Sequence, residues 1–180
     1  MVVGRRASAG TRRRQSGGEA PLDGERAASA DAAHAAALRL LTTRARTRAE
    51  LRQRLEDRGF EAAAVAETLD RLERVGLVDD AALAATVAEG RAEHGLDAPA
   101  IAAELRDRGV DPAVAEGAAQ AAVPAEDRAD RCRQVAQARM AQLAGLPAPT
   151  QLRRLASYLA RRGYPPDLAE SVARDLVGFD

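Results

Sequence analysis

Apolar residues recur along the chain at the spacing of amphipathic helices, and one ten-residue phrase occurs three times. It reads LRQRLEDRGF at 51–60, IAAELRDRGV at 101–110 and LASYLARRGY at 155–164. Each copy has two apolar residues four apart, then polar residues with arginine, a glycine and an apolar residue. Residues four apart share a helix face, and glycine favours the position just past a helix. Each copy therefore predicts the end of a helix.

The three phrases predict a repeated unit. The apolar pairs that should face the core are Leu51 with Leu55, Ile101 with Leu105, and Leu155 with Leu159. The residue after each glycine, namely Phe60, Val110 or Tyr164, is expected to fold back against the helix end. The glycines lie 50 and 54 residues apart, which indicates a three-helix unit used three times. One such unit buries little apolar surface alone, so we expect the units to stack into an elongated, curved row.

Capping residues and prolines predict the remaining boundaries. Thr47 and Glu50 have the spacing of a capping box, which starts a helix at Arg48 that runs to Arg58. The other predicted helices are Asp31–Thr43, Glu61–Val75, one from Asp79 or Asp80 to near Gly95, one from Asp97 to Gly109, one that starts at Asp111–Pro112, a long one over Ala125–Ala144, one capped by Thr150, and one after Pro165–Pro166.

These elements predict an all-α protein made of three tandem three-helix repeats. The predicted boundaries are residues 31–78, 79–123 and 124–180. Residues 1–30 are rich in Gly, Ser and Arg without a period, so we predict a disordered basic tail there. The chain is 46% hydrophobic but only 2% aromatic, and its apolar residues are mostly Ala, Leu and Val. Small side chains must therefore fill the core, and alanine is also the best helix former.

Arginine supplies every positive side chain. All 27 basic residues are arginine, and two explanations remain open: a codon preference, or recognition of phosphate or carboxylate groups by guanidinium. The net charge is zero, but 7 Arg stand against 3 acids in residues 38–58, 6 against 16 in 59–130, and 8 against 4 in 131–180. Basic ends and an acidic middle can orient a protein on a polyanion, although a solvated helix surface explains the pattern as well.

The residues that usually carry catalysis or bind metals are sparse. His34 and His94 have no spaced Cys or His partner for zinc, and no glycine-rich phosphate loop is present. Cys132 is the only cysteine, which excludes an intramolecular disulfide and fits a reducing cytosol. Arg131 and Arg133 flank it and would lower its pKa, although a packed small residue is the simpler interpretation. We predict a non-enzymatic protein without metal or cofactor.

The location is predicted to be cytoplasmic. No apolar run approaches the roughly 20 residues that span a bilayer, and the N-terminus lacks a secretory signal. Asp79 and Asp80 precede a helix, so capping explains them better than acid–base chemistry.

What remains is binding through arginines near the two basic ends. Such side chains bind phosphates, or acidic side chains of a protein partner. For any single arginine, a solvated surface with local ion pairs is the alternative. The candidate binding residues are Arg44, Arg46, Arg48, Arg52, Arg58, Arg91, Arg153, Arg154, Arg161 and Arg162.

The chain resembles the RecX family of bacterial regulators of the RecA recombinase. The segments that carry the resemblance are 38–60, 69–84, 101–111 and 155–164, and it extends over nearly all of 33–178. It implies three tandem three-helix repeats and a modulator without catalysis. It also implies binding along the helical groove of the RecA–single-stranded DNA filament. The family limits filament growth, ATP hydrolysis, strand exchange and repressor cleavage.

Three functions compete at this point. The first is a RecA-filament regulator, acting as a monomer with direct DNA contact left open. The second is a free-standing DNA-binding protein, because three-helix units resemble helix-turn-helix modules. The absence of Asn and the acidic middle repeat weaken it, since base readers use Asn or Gln. The third is a helical scaffold for another protein partner. The resemblance favours the first.

Overall fold

The computed structural model describes residues 23–178, and within them the chain is helical, with no strand. The all-α prediction is confirmed. The helices are α1 Gly24–Ala27, α2 Ala30–Leu41, α3 Arg48–Glu56, α4 Ala62–Arg74, α5 Asp80–Glu93, α6 Ala98–Asp107, α7 Pro112–Ala122, α8 Arg128–Met140, α9 Ala148–Arg161 and α10 Pro166–Val177, with a 3-10 turn at Ala125–Asp127 before α8. We name repeats 1, 2 and 3 by the predicted boundaries 31–78, 79–123 and 124–180.

Each repeat buries its own core. One cluster joins Leu51, Leu55 and Phe60 to residues of α2 and α4. A second surrounds Ile101 and Leu105 with alanines of α5 and α7. The third holds Leu155, Leu159 and Tyr164 between α8 and α10. Helices pack extensively only within a repeat. The middle helices α3, α6 and α9 carry the apolar pairs that the sequence predicted to be buried.

The three phrases close their helices in the same way. The amide of Phe60 donates to the Leu55 carbonyl at 3.2 Å, and Val110 and Tyr164 make the same bond to Leu105 and Leu159. A left-handed glycine precedes each of these residues, at φ +89°, +80° and +92°. This is the Schellman arrangement, in which the apolar residue beyond the glycine contacts the last turn. The predicted helix stops are confirmed.

Two predicted boundaries in repeat 3 are wrong. The long helix over Ala125–Ala144 is a 3-10 turn followed by α8, which ends at Met140, so that Leu143 turns back into the core at 2% exposure. Thr150 is not an N-cap, because α9 already begins at Ala148. Pro147 and Pro149 explain the early start, since proline fits the first turn of a helix, where the missing N–H has no intrahelical partner.

The N-terminal segment is described from Asp23. Gly24–Ala27 forms one helical turn, and the amide of Glu61 donates to the Ala27 carbonyl at 2.9 Å. The packed chain therefore begins before the predicted residue 31. The rest of the predicted tail, residues 1–22, lies outside the described part of the chain.

Repeats 1 and 2 meet through the ends of their middle helices. The Thr47 hydroxyl, which caps α3, donates to the carbonyl of Arg108 at the end of α6, at 2.6 Å. The Arg108 guanidinium pairs with Glu50 at 3.0 Å. The Asp80 carboxylate accepts the Arg48 amide at 2.8 Å. We call this contact the first junction.

Repeats 2 and 3 repeat that arrangement in the second junction. The amide of Asp97, which precedes α6, donates to the carbonyl of Arg162 at the end of α9, at 2.8 Å. The Asp97 side chain is fully buried, and its carboxylate oxygens lie 3.1 and 2.9 Å from the Arg128 Nε. Arg131 donates to the Ala92 carbonyl at 2.7 Å. In both junctions the start of one middle helix contacts the end of the next, which links the three cores into a row.

Candidate functional site

Three predicted arginines of repeat 3 share one surface. Arg153, Arg154 and Arg161 lie on α9 and are exposed. Together with Arg139 of α8 and the Ser157 hydroxyl, they line an open depression of about 410 Å³. None of its lining residues is acidic, and none of the four arginines pairs with a carboxylate among residues 23–178. We call this surface the basic depression.

The Tyr158 ring contacts two arginines at the side of the basic depression. The guanidinium of Arg139 lies 4.9 Å from its ring centroid, and that of Arg162 lies 4.5 Å from it. Guanidinium groups are attracted to the negative face of an aromatic ring, so Tyr158 holds both arginines in place. Arg162 also donates to the His94 carbonyl in the second junction. Of the predicted arginines in repeat 3, Arg162 is therefore a structural contact as well as a basic group.

The depression on repeat 1 has mixed charge. It measures about 530 Å³ and is lined by Arg44, Arg46, Arg54 and Arg108, but also by Glu50, Asp57 and Asp107. Arg44 pairs with Glu50 at 3.2 Å. Burial raises the pKa of Glu50, but hydrogen bonds and charge from Arg108 and Arg44 outweigh this, and the net pKa is lowered. A carboxylate that is held ionised here offsets the positive field that a phosphate would meet.

Two other predicted arginines face acidic partners. Arg48 pairs with Asp70 at 2.7 Å and with Glu73 at 2.5 Å, and these bonds raise its pKa. Arg91 pairs with Glu104 at 2.5 Å. Both guanidinium groups are thus engaged by their own repeat, and a ligand would have to displace a carboxylate to reach them.

The remaining candidates differ in their surroundings. Arg46 donates to the Leu40 carbonyl at 3.3 Å, and burial followed by the charge of Arg44 lowers its pKa. Arg52 and Arg58 are exposed and form no ion pair within residues 23–178. The structure therefore brings only Arg153, Arg154 and Arg161 together on an all-basic surface.

Sequence reasoning missed Arg139, Ser157 and Tyr158. Ser157 and Tyr158 follow Arg153 and Arg154 by one helical turn, so a helical projection of α9 would have found them. Arg139 belongs to α8, and no local spacing connects it with α9. Its place follows only from the packing of the two helices.

Of the two aspartates at the start of α5, only Asp79 caps the helix as predicted. The Asp79 side chain accepts the Ala82 amide at 2.9 Å and caps α5. Asp80 instead accepts from Arg48 across the first junction, and burial raises its pKa despite that bond. Within residues 23–178 no group of His, Cys, Asp or Glu is arranged to hold a metal ion, and no helix has the length and apolarity needed to cross a membrane.

Cys132 is a core residue. Its side chain is fully buried in repeat 3, and burial, followed by the charge of Asp97, raises its pKa to about 11. The expected lowering by the flanking arginines is wrong, because only Arg133 lowers the pKa, and burial outweighs it. The packed-residue interpretation is confirmed.

We expect the Cys132 thiol to react with a disulfide reagent at pH 8 at least about two orders of magnitude more slowly than in the urea-unfolded chain. The thiolate is the reactive form, and an unperturbed thiol, with a pKa near 8.5, contains far more thiolate at pH 8 than the buried Cys132 does. Stopped-flow absorbance of both states measures the ratio. Equal rates would contradict the buried placement.

Comparison with known proteins agrees with this architecture. The model of the RecX first three-helix domain matches residues 33–72, and that of the third three-helix domain matches residues 125–172. The regulatory protein RecX of Thermobifida fusca is 42% identical over 144 residues, which cover 79% of this chain and 77% of that protein. RecX of Streptomyces coelicolor is 36% identical over 161 residues, or 89% and 82% of the two chains.

A solved structure shares the fold. The crystal structure of RecX from Lactobacillus salivarius superimposes with a TM-score of 0.68 at 18% identity, and it covers 82% of this chain and 96% of that one. The sequence matches and the repeated helices agree with each other. The chain therefore belongs to the RecX family of regulatory proteins.

Proposed function

We propose that this protein is a non-enzymatic inhibitor of the RecA recombinase that binds along the groove of the RecA–single-stranded DNA filament. The observation that carries the proposal is the basic depression, where four arginines lie together without an acidic side chain on a row of helical repeats. Guanidinium groups that pair with no carboxylate bind phosphates without first giving one up. Family membership supports RecA as the partner.

The shape of the molecule suits a polymer. Three repeats joined through helix ends present successive surfaces along one direction. Phosphate contacts would position the row without reading sequence, which suits a regulator that must act on any DNA. A row seated in the groove would limit filament growth and thereby ATP hydrolysis, strand exchange and repressor cleavage.

Each candidate arginine has a part in this proposal that follows from its surroundings. Arg153, Arg154 and Arg161 contact the phosphate backbone, with Arg162 held behind them. Arg46, Arg52 and Arg58 face the filament at the other end of the row. Arg44, Arg48 and Arg91 contact it only by exchanging their carboxylate partners. The protein acts in the cytoplasm, as a monomer and without a cofactor.

Purified protein should inhibit RecA-catalysed strand exchange and DNA-dependent ATP hydrolysis at ratios well below one per RecA protomer. The reason is that one bound molecule blocks the addition of many RecA protomers to the filament. A matched control is an unrelated DNA-dependent ATPase on the same single-stranded DNA. If RecA is unaffected even near saturation of the filament, or if both enzymes are inhibited equally, the proposal is wrong.

The alternative is a DNA-binding protein that acts without RecA. The absence of acids in the basic depression is compatible with it. Equal inhibition of the two ATPases would favour this alternative, because the protein would then act by covering DNA. A scaffold for another protein would affect neither enzyme.

A further inference from the structure

The arginine–glycine end of the middle helix occurs three times, but in the described part of the chain only two copies receive the start of another middle helix. In the first junction the α6 end, Arg108–Gly109, receives the start of α3. In the second the α9 end, Arg162–Gly163, receives the start of α6. The third copy, Arg58–Gly59 at the end of α3, receives no helix start within residues 23–178.

The two occupied ends share three features. The carbonyl of the arginine accepts a bond from the N-cap residue of the incoming helix, from the Thr47 hydroxyl at 2.6 Å or from the Asp97 amide at 2.8 Å. An alanine of the incoming first turn lies against the glycine. A Cβ built on Gly163 would stand 2.7 Å from the Cβ of Ala100, and one on Gly109 would collide with Ala49. Only glycine allows this approach.

The third feature is a carboxylate at the start of the incoming helix. Glu50 pairs with Arg108 at 3.0 Å in the first junction. In the second, the buried Asp97 carboxylate lies 2.9 Å from Arg128. Each junction therefore pairs a carboxylate at the start of the incoming helix with an arginine. In the first junction this is the arginine of the helix end, and in the second it is Arg128 at the start of α8.

The unoccupied end has the same construction. Gly59 has φ +89°, the Phe60 amide closes the helix on Leu55, and Phe60 is 7% exposed. Unlike its two counterparts, Gly59 has no atom within 4 Å of the position of a Cβ. Within residues 23–178 the Arg58 carbonyl accepts no hydrogen bond, and the Arg58 side chain is exposed.

We propose that the Arg58–Gly59 end is a docking surface for the N-terminus of a helix from a protein partner. The chemistry of the two junctions defines the partner. Its helix begins with a Thr, Ser or Asp N-cap, carries alanine or glycine in the first turn, and has a carboxylate there to pair with Arg58. This surface is distinct from the basic depression, and the proposal does not depend on RecA being the partner.

No middle helix of a second copy supplies this element. The starts of α3 and α6 are already occupied in the junctions. The start of α9 is the one that remains, but its N-cap is Pro147, which has neither an amide hydrogen nor a side-chain donor. In addition, α9 starts 15 residues before its glycine, whereas α3 and α6 start 11 residues before theirs. The start of α9 therefore carries one extra helical turn beyond the position at which α3 and α6 make their contacts.

A phosphate is also a poor ligand for this end. Carbonyl groups at a helix C-terminus carry partial negative charge, which repels anions. Arg58, even with the nearby charge of Arg46, would have to overcome that field. In the basic depression, by contrast, four arginines converge without an opposing acid.

The test uses the full chain and a fluorescein-labelled peptide that copies residues 95–108, including the Asp97 N-cap and Ala100. A control peptide carries leucine at both of those positions. The protein variants are Gly59→Asn and Gly76→Asn. Gly76 lies in the same repeat, has φ +70° and is equally open, so both changes impose the same backbone strain, and only one alters the docking surface.

Fluorescence anisotropy should show saturable binding of the copied peptide to the wild type and to Gly76→Asn. Binding to Gly59→Asn, and binding of the control peptide, should be weaker by about tenfold or more, because a side chain at Gly59 collides with the incoming alanine. No saturable binding, or equal binding by the two variants, would overturn the proposal. So would binding of a short oligonucleotide that depends on Gly59 while the peptide fails to bind.

Discussion

Gly163→Ala should lower the free energy of unfolding by about 2–5 kcal/mol. Two costs add together. A non-glycine residue in the left-handed region costs about 1–2 kcal/mol. The new methyl group would also stand 2.8 Å from the Ala100 amide nitrogen, which is backbone and cannot move aside without opening the second junction.

Gly145→Ala is the matched control. Gly145 lies in the same repeat at φ +87°, and its Cβ position is open, so only the backbone cost of about 1–2 kcal/mol should appear. Urea unfolding followed by circular dichroism measures both changes. Because the junction couples repeats 2 and 3, Gly163→Ala should also broaden the transition or split it in two. Equal losses for the two variants would show that a methyl group at position 163 does not clash with Ala100 in the second junction.

Replacing Arg153, Arg154 and Arg161 by alanine should weaken binding to single-stranded DNA by about two orders of magnitude at 0.1 M salt. Each phosphate contact on a single strand contributes about 0.7 to the slope of log affinity against log salt, so three contacts flatten the slope by about 2. Titration of a labelled oligothymidine at four salt concentrations measures both quantities.

A second triple variant separates specific contacts from net charge. Arg48, Arg71 and Arg91 each pair with an acidic side chain, so their replacement by alanine removes the same formal charge from groups that are already engaged. We expect the slope of this variant to stay close to that of the wild type. If both triples flatten the slope equally, the basic depression has no special role and the DNA responds to overall charge.

Local sequence signals accounted for most of the fold. The Thr47–Glu50 capping box and the three glycine stops depend on residues within one helical turn, and all are confirmed. The start of α9 was misplaced because Thr150 and the prolines before it compete for the same role. Even there the error is three residues.

The candidate site was less accessible to sequence reasoning. Arg48 and Arg153 look alike in sequence, since each stands in an arginine-rich stretch of a middle helix. Their difference comes from α4, which places Asp70 and Glu73 against Arg48, whereas no described acid of α8 or α10 forms an ion pair with Arg153. The partner of a charge on a neighbouring helix depends on helix packing, which periodicity does not determine.

The separate cores also bear on how the protein is made. Apart from the end contacts in the two junctions, each middle helix packs against helices that are next to it along the chain. The loops that must close are therefore short and their entropic cost is small. Repeat 1 contains all of its own core and can pack while the ribosome is still adding repeat 3. Nascent chains would then leave the ribosome with little exposed apolar surface that still needs a partner from a distant part of the chain.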